Sequence, residues 1–368
     1  MGARRVAENH HGDGPPVGPE DLDEFEEALA EIEAESIPES LPKPRWTSVV
    51  LRLVFSVGLL VLLFTRLPEL DLDDLVPDIT VSTFAWIGLA IAVHVIAYVL
   101  QALRWAEVSD TLDIHLPFKR LFNHLLAGEF VSNALPTSVG GDVVRVMRQG
   151  RETGDFADSF ASTSLERLTG WLVLPVISMF AMVVHPEFFS LGGATTAAIL
   201  INVVTLVSLL ALLWLAGHPR GAGRLVGRTG WRRYLGAVHL GIVAFRHRPL
   251  RVTRVIVAGV GFQLLQCVCV WACARALQIP EVTILAAMAF FPPTAVAQNL
   301  PFALGGLGVR EAMFVLFFGA LGASNSQAVG LGLLVYLVFI CASLAGAPSF
   351  AVGTRRGIDP VPIPTAES

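Results

Sequence analysis

The stretch NALPTSVGGDVVR spans residues 133–145, and the stretch NLPFALGGLGVRE spans residues 299–311. Both contain the frame Pro-x₃-Gly-Gly-x₃-Arg, and both lie in strongly apolar sequence. A proline and two glycines interrupt a helix and leave backbone groups unpaired, which is costly in a membrane. An arginine at membrane depth is costly as well. Two copies of such a pattern predict a site that is built from two halves.

The composition around these stretches is that of a membrane protein. The 368 residues are 54% hydrophobic and 15% charged, with a mean hydropathy of +0.63, far from the averages of soluble domains. Six apolar spans each have about the length of a crossing helix. They are 48–66, 83–105, 160–184, 195–216, 252–277 and 326–352. We therefore predict an all-α polytopic membrane protein with six crossing helices.

Two further apolar segments, 118–148 and 283–323, each read as a helix, a Pro/Gly break and a second helix. Arginine placement orients the chain. Nine arginines and no acid lie between Arg220 and Arg254, which predicts a cytoplasmic loop, whereas residues 67–82 carry five acids and no base and are expected outside. Six crossings fit this orientation only if both broken segments are re-entrant hairpins that begin and end on one side.

The two halves, about 47–184 and 195–352, then each read helix, helix, re-entrant hairpin, helix, in opposite orientations. This order is an inverted-topology repeat, and such repeats commonly bind their substrate near the bilayer midplane at the repeat interface. Both breaks, with Arg145 and Arg310, are therefore expected to approach one shared cavity.

The ends of the chain are polar. Residues 1–46 contain 12 of the 31 acids and 4 of the 26 bases, and we predict a partly disordered acidic tail in the cytoplasm. Apolar residues between Leu22 and Ile32 recur at helical spacing, so a short helix that docks a partner is the alternative. Residues 47–352 form the membrane domain and 353–368 a short cytoplasmic tail. The expected location is the plasma membrane.

The frame residues have the chemistry of an anion site. The half-helix that begins at each break presents N–H groups and the positive end of its dipole, and glycines allow a close backbone approach. An arginine about one turn later adds a permanent charge suited to phosphate. The alternative is that the glycines only pack helices and each arginine pairs with a local acid. The candidates are Pro136, Gly140, Gly141, Arg145, Pro301, Gly305, Gly306 and Arg310.

Polar side chains beside the breaks are further candidates. The amides of Asn133 and Asn299 could bond freed carbonyls or headgroup oxygens. Acids at membrane depth are uncommon and usually functional, and here they could hold arginines, bind a cationic headgroup or carry a coupling proton. Asp142 could instead cap a helix. The acidic candidates are Glu129, Asp142, Glu166 and Glu311, with Arg167 next to Glu166.

Other polar residues lie inside or at the ends of the spans. Gln101 and Arg104 end the second span and are expected to extend to the cytoplasmic surface. His94, Gln263 and Gln266 are expected chiefly to bond between helices. The four cysteines lie in apolar spans without the spacing of a zinc site, so neither a metal nor a cofactor is predicted.

At these residues the chain resembles the lysylphosphatidylglycerol synthase transmembrane-region family, also called flippase-like domain proteins. The resemblance covers residues 47–352 and is carried by the two quoted stretches and by SLER at residues 164–167. It implies the handling of a lipid or a lipid-linked sugar, with Glu166, Arg167 and Glu311 joining the frame residues in the site. No long aminoacyl-transferase domain follows the last span, so the synthase activity of fused members is not expected.

The leading functional hypothesis is a flippase or transporter for an anionic phospholipid or a polyprenyl-phosphate-linked lipid. An alternative is an integral-membrane glycosyltransferase with a polyprenyl-phosphate sugar donor, because Asp71, Asp73 and Asp74 lie in the outside loop. A third hypothesis is a membrane partner that presents lipid to a separate lipid-synthesising enzyme or glycosyltransferase. No catalytic residue and no nucleic-acid partner are predicted, and no ATP-binding motif is present.

Overall fold

The computed structural model describes residues 54, 58, 79–134, 140–218, 231–246, 248–299 and 306–355. These residues belong to one unit of the fold, Pro44–Ser368, and no strand occurs among them. Two 3₁₀ turns, Pro186–Ser190 and Leu344–Gly346, interrupt the helices. In chain order the helices are α1 (Val81–Thr111), α2 (Phe118–Ala134), α3 (Gly140–Thr153), α4 (Phe156–Val184), α5 (Gly193–Gly217), α6 (Trp231–Arg246), α7 (Pro249–Ala276), α8 (Ile284–Gln298), α9 (Val309–Gly319), α10 (Asn325–Ser343) and α11 (Ala347–Arg355).

Five of the six predicted spans are long apolar helices. By length and composition, α1, α4, α5, α7 and the segment Asn325–Ala351 can each cross a membrane. The remaining span, 48–66, lies outside the described residues except for Val54 and Gly58, which are helical. The prediction of an all-α polytopic membrane protein is confirmed. The tail 1–46 lies outside the described residues, as does most of the tail 353–368, and the domain boundaries stay predictions.

Each predicted broken segment contains two helices. In the first segment α2 ends at Ala134 and α3 begins at Gly140; in the second, α8 ends at Gln298 and α9 begins at Val309. The residues between them, 135–139 and 300–305, lie outside the described part of the chain. They include the candidates Pro136, Pro301 and Gly305. That the two segments are re-entrant hairpins stays a prediction.

The packing of the helices relates the two halves. The pairs α1–α2, α2–α3 and α3–α4 are in contact, and so are their counterparts α7–α8, α8–α9 and α9–α10. Between the halves, α4 packs on α7 and α8, while α10 packs on α1 and α2. α1 packs along α7, its own counterpart. Exchange of the halves leaves this set of contacts unchanged, as a two-fold repeat requires; its inversion in the membrane stays a prediction.

One described helix was missed in the sequence. α6 lies within the arginine-rich stretch 220–254, for which the sequence predicts a loop, and it packs on α4 and α5. It buries Ala237 and Ile242 and leaves Leu240 exposed. Because α6 has 16 residues, a search for membrane-crossing spans passes over it. Its arginines dominated the interpretation of this stretch.

Glycines bring the helices of the first broken segment close together. A Cβ atom at Gly141 would lie 2.0 Å from the Ser132 Oγ atom and 2.3 Å from the Gly128 carbonyl oxygen. A Cβ atom at Gly128 would lie 2.8 Å from Cγ of Arg145. The absence of side chains at these two positions therefore lets α2 and α3 touch and gives the Arg145 side chain its path between them.

We expect the substitution Gly141→Ala to lower the free energy of unfolding by about 1–3 kcal/mol, because the added methyl group overlaps backbone that moves only if the helices part. Thermal unfolding in detergent measures this effect. The control is Gly88→Ala, since a Cβ atom at Gly88 meets no described atom within 4 Å. The control should unfold at the temperature of the wild type or slightly above it. Equal melting of the two variants would contradict the expectation.

Candidate functional site

A cavity of about 220 Å³ lies between the two halves of the fold. Side chains from α1, α2 and α4 line it on one side, and side chains from α7, α8, α9 and α10 on the other. Six of the candidates named from the sequence are among its lining residues. They are Glu129, Asn133, Glu166, Arg167, Asn299 and Arg310.

Part of the lining comes from equivalent positions of the two halves. Arg145 and Arg310 lie 165 residues apart, and the same offset relates five pairs of lining residues. These pairs are Tyr98 and Gln263, Gln101 and Gln266, Asn133 and Gln298, Trp171 and Tyr336, and Leu174 and Phe339. The offset that relates the two frames therefore also relates ten residues of the cavity walls.

Glu166 joins two arginines at the cavity wall. Its carboxylate accepts a hydrogen bond from Nε of Arg104 at 2.8 Å and one from Nη2 of Arg145 at 3.1 Å. Nη2 of Arg104 donates a further bond. Arg104 is 3% exposed, Arg145 is 2% exposed and Glu166 is 0% exposed. Their charges must therefore compensate one another inside the protein. Arg145 does not line the cavity itself but acts on it through Glu166.

Aromatic rings and a glycine fix the positions of these arginines. The guanidinium of Arg145 lies 4.2 Å from the ring centroid of Trp105, and that of Arg104 lies 5.3 Å from the ring of Phe262, which are cation–π distances. A Cβ atom at Gly170 would lie 2.6 Å from Nη1 of Arg104. Gly170 therefore provides the space in which the Arg104 side chain crosses α4.

Asp142 and Arg167 form a second charged pair beside Glu166. Nε of Arg167 donates to Oδ2 of Asp142 at 2.6 Å, and Nη1 of Arg145 lies 3.6 Å from Oδ1 of Asp142. Asp142 stands in the first turn of α3, where the helix dipole favours an acid. It thus holds arginines of α3 and α4 from a favourable position at the helix start.

Arg310 brings a charge from the second half into the cavity. It is 1% exposed, and its guanidinium lies 4.8 Å from the ring centroid of Tyr336. Its Nε donates to Oε1 of Glu311 at 3.3 Å, and Oε2 of Glu311 accepts the backbone N–H of Gly308 at 2.6 Å. Glu311 therefore caps α9 as well as pairing with Arg310. The sequence predicts that N–H groups at the start of this helix are available to an anion. The N–H group of Gly308 is instead bonded to Glu311.

The turn before α9 depends on glycine. Gly306 and Gly308 have φ angles of +78° and +83°, which side chains disfavour. A Cβ atom at Gly306 would also lie 2.8 Å from Cβ of Gln298. The second frame therefore needs glycine at 306 for its backbone conformation and for its contact with the end of α8.

The two asparagines make the same bond in both halves. Nδ2 of Asn133 donates to the carbonyl of Glu129 at 2.9 Å, and Nδ2 of Asn299 donates to the carbonyl of Ala295 at 2.7 Å. The accepting carbonyls lie five residues before the end of α2 and three residues before the end of α8. Because both asparagines also line the cavity, a bond to the helix backbone and contact with a ligand are compatible.

The expectation that Gln101 and Arg104 extend to the surface is wrong. Arg104 is buried against Glu166, and Nε2 of Gln101 donates to Oε1 of Glu129 at 3.1 Å. A signal was present, since Tyr98, Gln101 and Arg104 recur at spacings that place them on one face of a helix. Gln263, as expected, bonds between helices, donating to the carbonyl of Gly170 at 3.4 Å.

Several buried polar atoms of the cavity lack a partner among the described residues. They include Nη1 of Arg104 and Nη2 of Arg310, one from each half. The side-chain carbonyls of Gln101, Gln266 and Gln298 are in the same situation. Because a buried polar group without a partner is costly, these atoms indicate a cavity that is completed by a ligand or by water. Two of the donors are cationic and suit an anion.

Comparison with known proteins gives matches across this region. The family profile described as the lysylphosphatidylglycerol synthase TM region matches residues 49–346, which include every lining residue of the cavity. A UPF0104 membrane protein of Methanothermobacter thermautotrophicus is 24% identical over 268 residues, which are 66% of this chain and 77% of that protein. The UPF0104 membrane protein PH1989 of Pyrococcus horikoshii is 22% identical over 136 residues, 34% of this chain and 40% of that protein.

We expect Glu166→Gln to lower the free energy of unfolding by about 3–5 kcal/mol, because it leaves two buried arginines without their carboxylate. Chemical unfolding in detergent measures the loss. The control is Asp113→Asn. Asp113 pairs with Arg248 at 3.1 Å, and the Asp113 side chain is 72% exposed, so this loss should be at most about 1 kcal/mol. A loss of the same size in both variants would show that Glu166 is not a central ion-pair partner.

Proposed function

Because the chain belongs to the lysylphosphatidylglycerol synthase transmembrane-region family and is a multi-pass integral membrane protein, we propose that it is a lipid flippase or transporter. Its cargo is an anionic lipid, either a phospholipid or a polyprenyl-phosphate-linked lipid. The headgroup binds in the cavity between the two halves, and the apolar chains stay in the surrounding lipid. The proposed location is the plasma membrane, with both termini in the cytoplasm.

The observation that supports this proposal most is the state of Arg310. Its guanidinium is buried and stacked on Tyr336, it lines the cavity, and its Nη2 has no partner within the described part of the chain. Arg104 offers a second such donor, Nη1, from the other half. A phosphate in the cavity would accept charge-assisted hydrogen bonds from both arginines, and such bonds are the stronger kind.

The rest of the lining suits a ligand that is polar at one end and apolar at the other. Leu174, Phe262, Phe291 and Phe339 line the cavity together with the charged residues. Sites that combine an apolar lining with a few placed polar groups are typical of small-molecule ligands. A free inorganic anion would use the arginines only, whereas a lipid would also use the apolar wall.

The two-fold packing supports a mechanism of alternating access. In transporters with inverted repeats, one half rocks against the other around a site at their interface. The cavity of this protein lies between its two halves, and ten of its lining residues form five equivalent pairs. Rocking would expose the headgroup first to one side of the membrane and then to the other.

The alternative functions depend on residues outside the described part. Asp71, Asp73 and Asp74 carry the glycosyltransferase hypothesis, and residues 1–46 carry the docking of an enzyme partner. The cavity and its arginines belong to the described residues and favour lipid movement. For this reason the flippase or transporter is our conclusion.

Transport can be measured in liposomes that contain the purified protein and fluorescent phosphatidylglycerol or fluorescent polyprenyl phosphate. We expect Arg310→Ala to slow translocation at least about tenfold, because the lost free energy of one hydrogen bond to a charged group corresponds to a factor of that size. The translocation rate of Arg310→Lys should lie between those of the wild type and Arg310→Ala, because lysine keeps the charge but lacks the planar guanidinium group. The control is Arg254→Ala, since the Arg254 side chain is 68% exposed, and it should transport at the wild-type rate.

The outcomes separate the site from the function. If the double variant Arg145→Ala/Arg310→Ala moves lipid as fast as the wild type, the anion site is wrong. If the wild type moves neither lipid faster than protein-free liposomes do, the flippase proposal is wrong.

A further inference from the structure

Glu129 differs from the other acids of the cavity in its partner. Its carboxylate accepts a hydrogen bond from Nε2 of Gln101 at 3.1 Å, and no nitrogen of a described Arg, Lys or His lies within 4.0 Å of it. By contrast Asp142, Glu166 and Glu311 are each paired with at least one arginine. Among the described acids of this site, Glu129 is thus the one that forms no ion pair with a described basic side chain.

The charged groups near Glu129 are already engaged. From α3, Arg145 and Asp142 face it, and from α4, Arg167 does. Arg145 is bonded to Glu166, and Arg167 is bonded to Asp142. These arginines therefore attract the Glu129 carboxylate from a distance without pairing with it.

The other helices that pack on α2 add few titratable groups. From α1, Tyr98 and Gln101 face Glu129. α10 and the turn Leu344–Gly346 contain no Asp, Glu, Lys, Arg or His, and α11 carries Arg355, whose side chain lies outside the described part. No further acid or base of the described side chains on these elements competes for the position next to Glu129.

The formal charge of the site depends on the protonation state of Glu129. Among the described residues that line the cavity or bond to lining residues, and with His94 neutral, there are four arginines and four acids. They are Arg104, Arg145, Arg167 and Arg310, and Glu129, Asp142, Glu166 and Glu311. An ionised Glu129 leaves the site neutral. A protonated Glu129 leaves one positive charge, which a singly charged phosphodiester would compensate.

The second half of the repeat has no counterpart of this acid. The position 165 residues after Glu129 is Thr294, whose hydroxyl donates to the carbonyl of Phe290 in its own helix at 2.8 Å. The position equivalent to Gln101 is Gln266, which also lines the cavity. Packing of the repeat therefore does not require a carboxylate at this place, and Glu129 needs another explanation.

We propose that Glu129 is a proton-binding site coupled to the lipid headgroup. When an anionic headgroup enters the cavity, a proton from water binds to the Glu129 carboxylate; when the headgroup leaves, the proton returns to water. Linkage makes the two binding events mutually favourable. The inference rests on the proposed function, and it adds that one proton accompanies each lipid. A pH difference across the membrane would then drive lipid movement.

Binding of short-chain phosphatidylglycerol to the full-length protein in detergent, followed by calorimetry, tests the coupling. We expect the affinity of the wild type to rise about a hundredfold between about pH 8 and about pH 5, because uptake of nearly one proton per lipid requires a coupling of that size, which lies within the usual range for two coupled sites. Glu129→Gln cannot ionise and should bind with the low-pH affinity of the wild type throughout. The control Glu187→Gln, at a side chain that is 85% exposed, should keep the wild-type pH dependence.

A measurement on the wild type alone guards against a variant that does not fold. In weakly buffered detergent solution, addition of short-chain phosphatidylglycerol should take up close to one proton per bound lipid, seen with a pH-sensitive dye. No proton uptake on binding would overturn the proposal. A pH dependence that persists in Glu129→Gln would overturn it as well.

Liposome transport separates this inference from the flippase proposal. A pH gradient should accelerate the movement of fluorescent phosphatidylglycerol by the wild type and leave the rate of Glu129→Gln unchanged. Movement by the wild type that ignores the gradient would overturn the proton site and leave the flippase proposal intact. If the wild type moves no lipid at any pH, the flippase proposal itself fails, and the inference with it.

Discussion

A charge that leaves water must find its counter-charge inside the protein, and in this fold that requirement is met at Glu166. One carboxylate on α4 compensates Arg104 of α1 and Arg145 of α3, so three helices are held together at one point. Removal of one member of such a group leaves the others uncompensated. This arrangement ties α3 to α4 through Arg145. It also holds Arg104 in the space at Gly170, where Arg104 and Glu166 form part of the cavity wall.

The sequence was sufficient for the five long helices that the structure describes and for the place of the breaks, because both follow from local properties. Span length and the residues Pro, Gly and Arg act over a few positions of the chain. The roles of individual charges could not be read in this way. Arg104 meets Glu166 across 62 residues of sequence, and an arginine near a helix end looks the same whether it turns outward or inward. The short helix α6 was missed for a different reason, since length was the criterion.

The two halves share a set of helix contacts but not a charge pattern. The positions 165 residues after Arg104, Glu129, Glu166 and Arg167 are Cys269, Thr294, Leu331 and Gly332. Three pairs of the lining keep an amide or an aromatic ring in both halves, namely Gln101 and Gln266, Asn133 and Gln298, and Trp171 and Tyr336. Most of the charges belong to the first half. The charges around the cavity therefore come mostly from the first half, and the second half contributes Arg310 and its partner Glu311.

Two glycines of the transmembrane helices lie directly against buried ionic side chains, although glycine itself carries no charge. Gly170 leaves the space that Arg104 fills, and a Cβ atom at Gly332 would lie 3.1 Å from Oε1 of Glu311. A larger residue at either position would push a buried ionic group away from its partner, so a steric change would become an electrostatic one. In a saturation mutagenesis map, Gly170 and Gly332 should therefore tolerate as few substitutions as the arginines do, although neither can bind a ligand through a side chain.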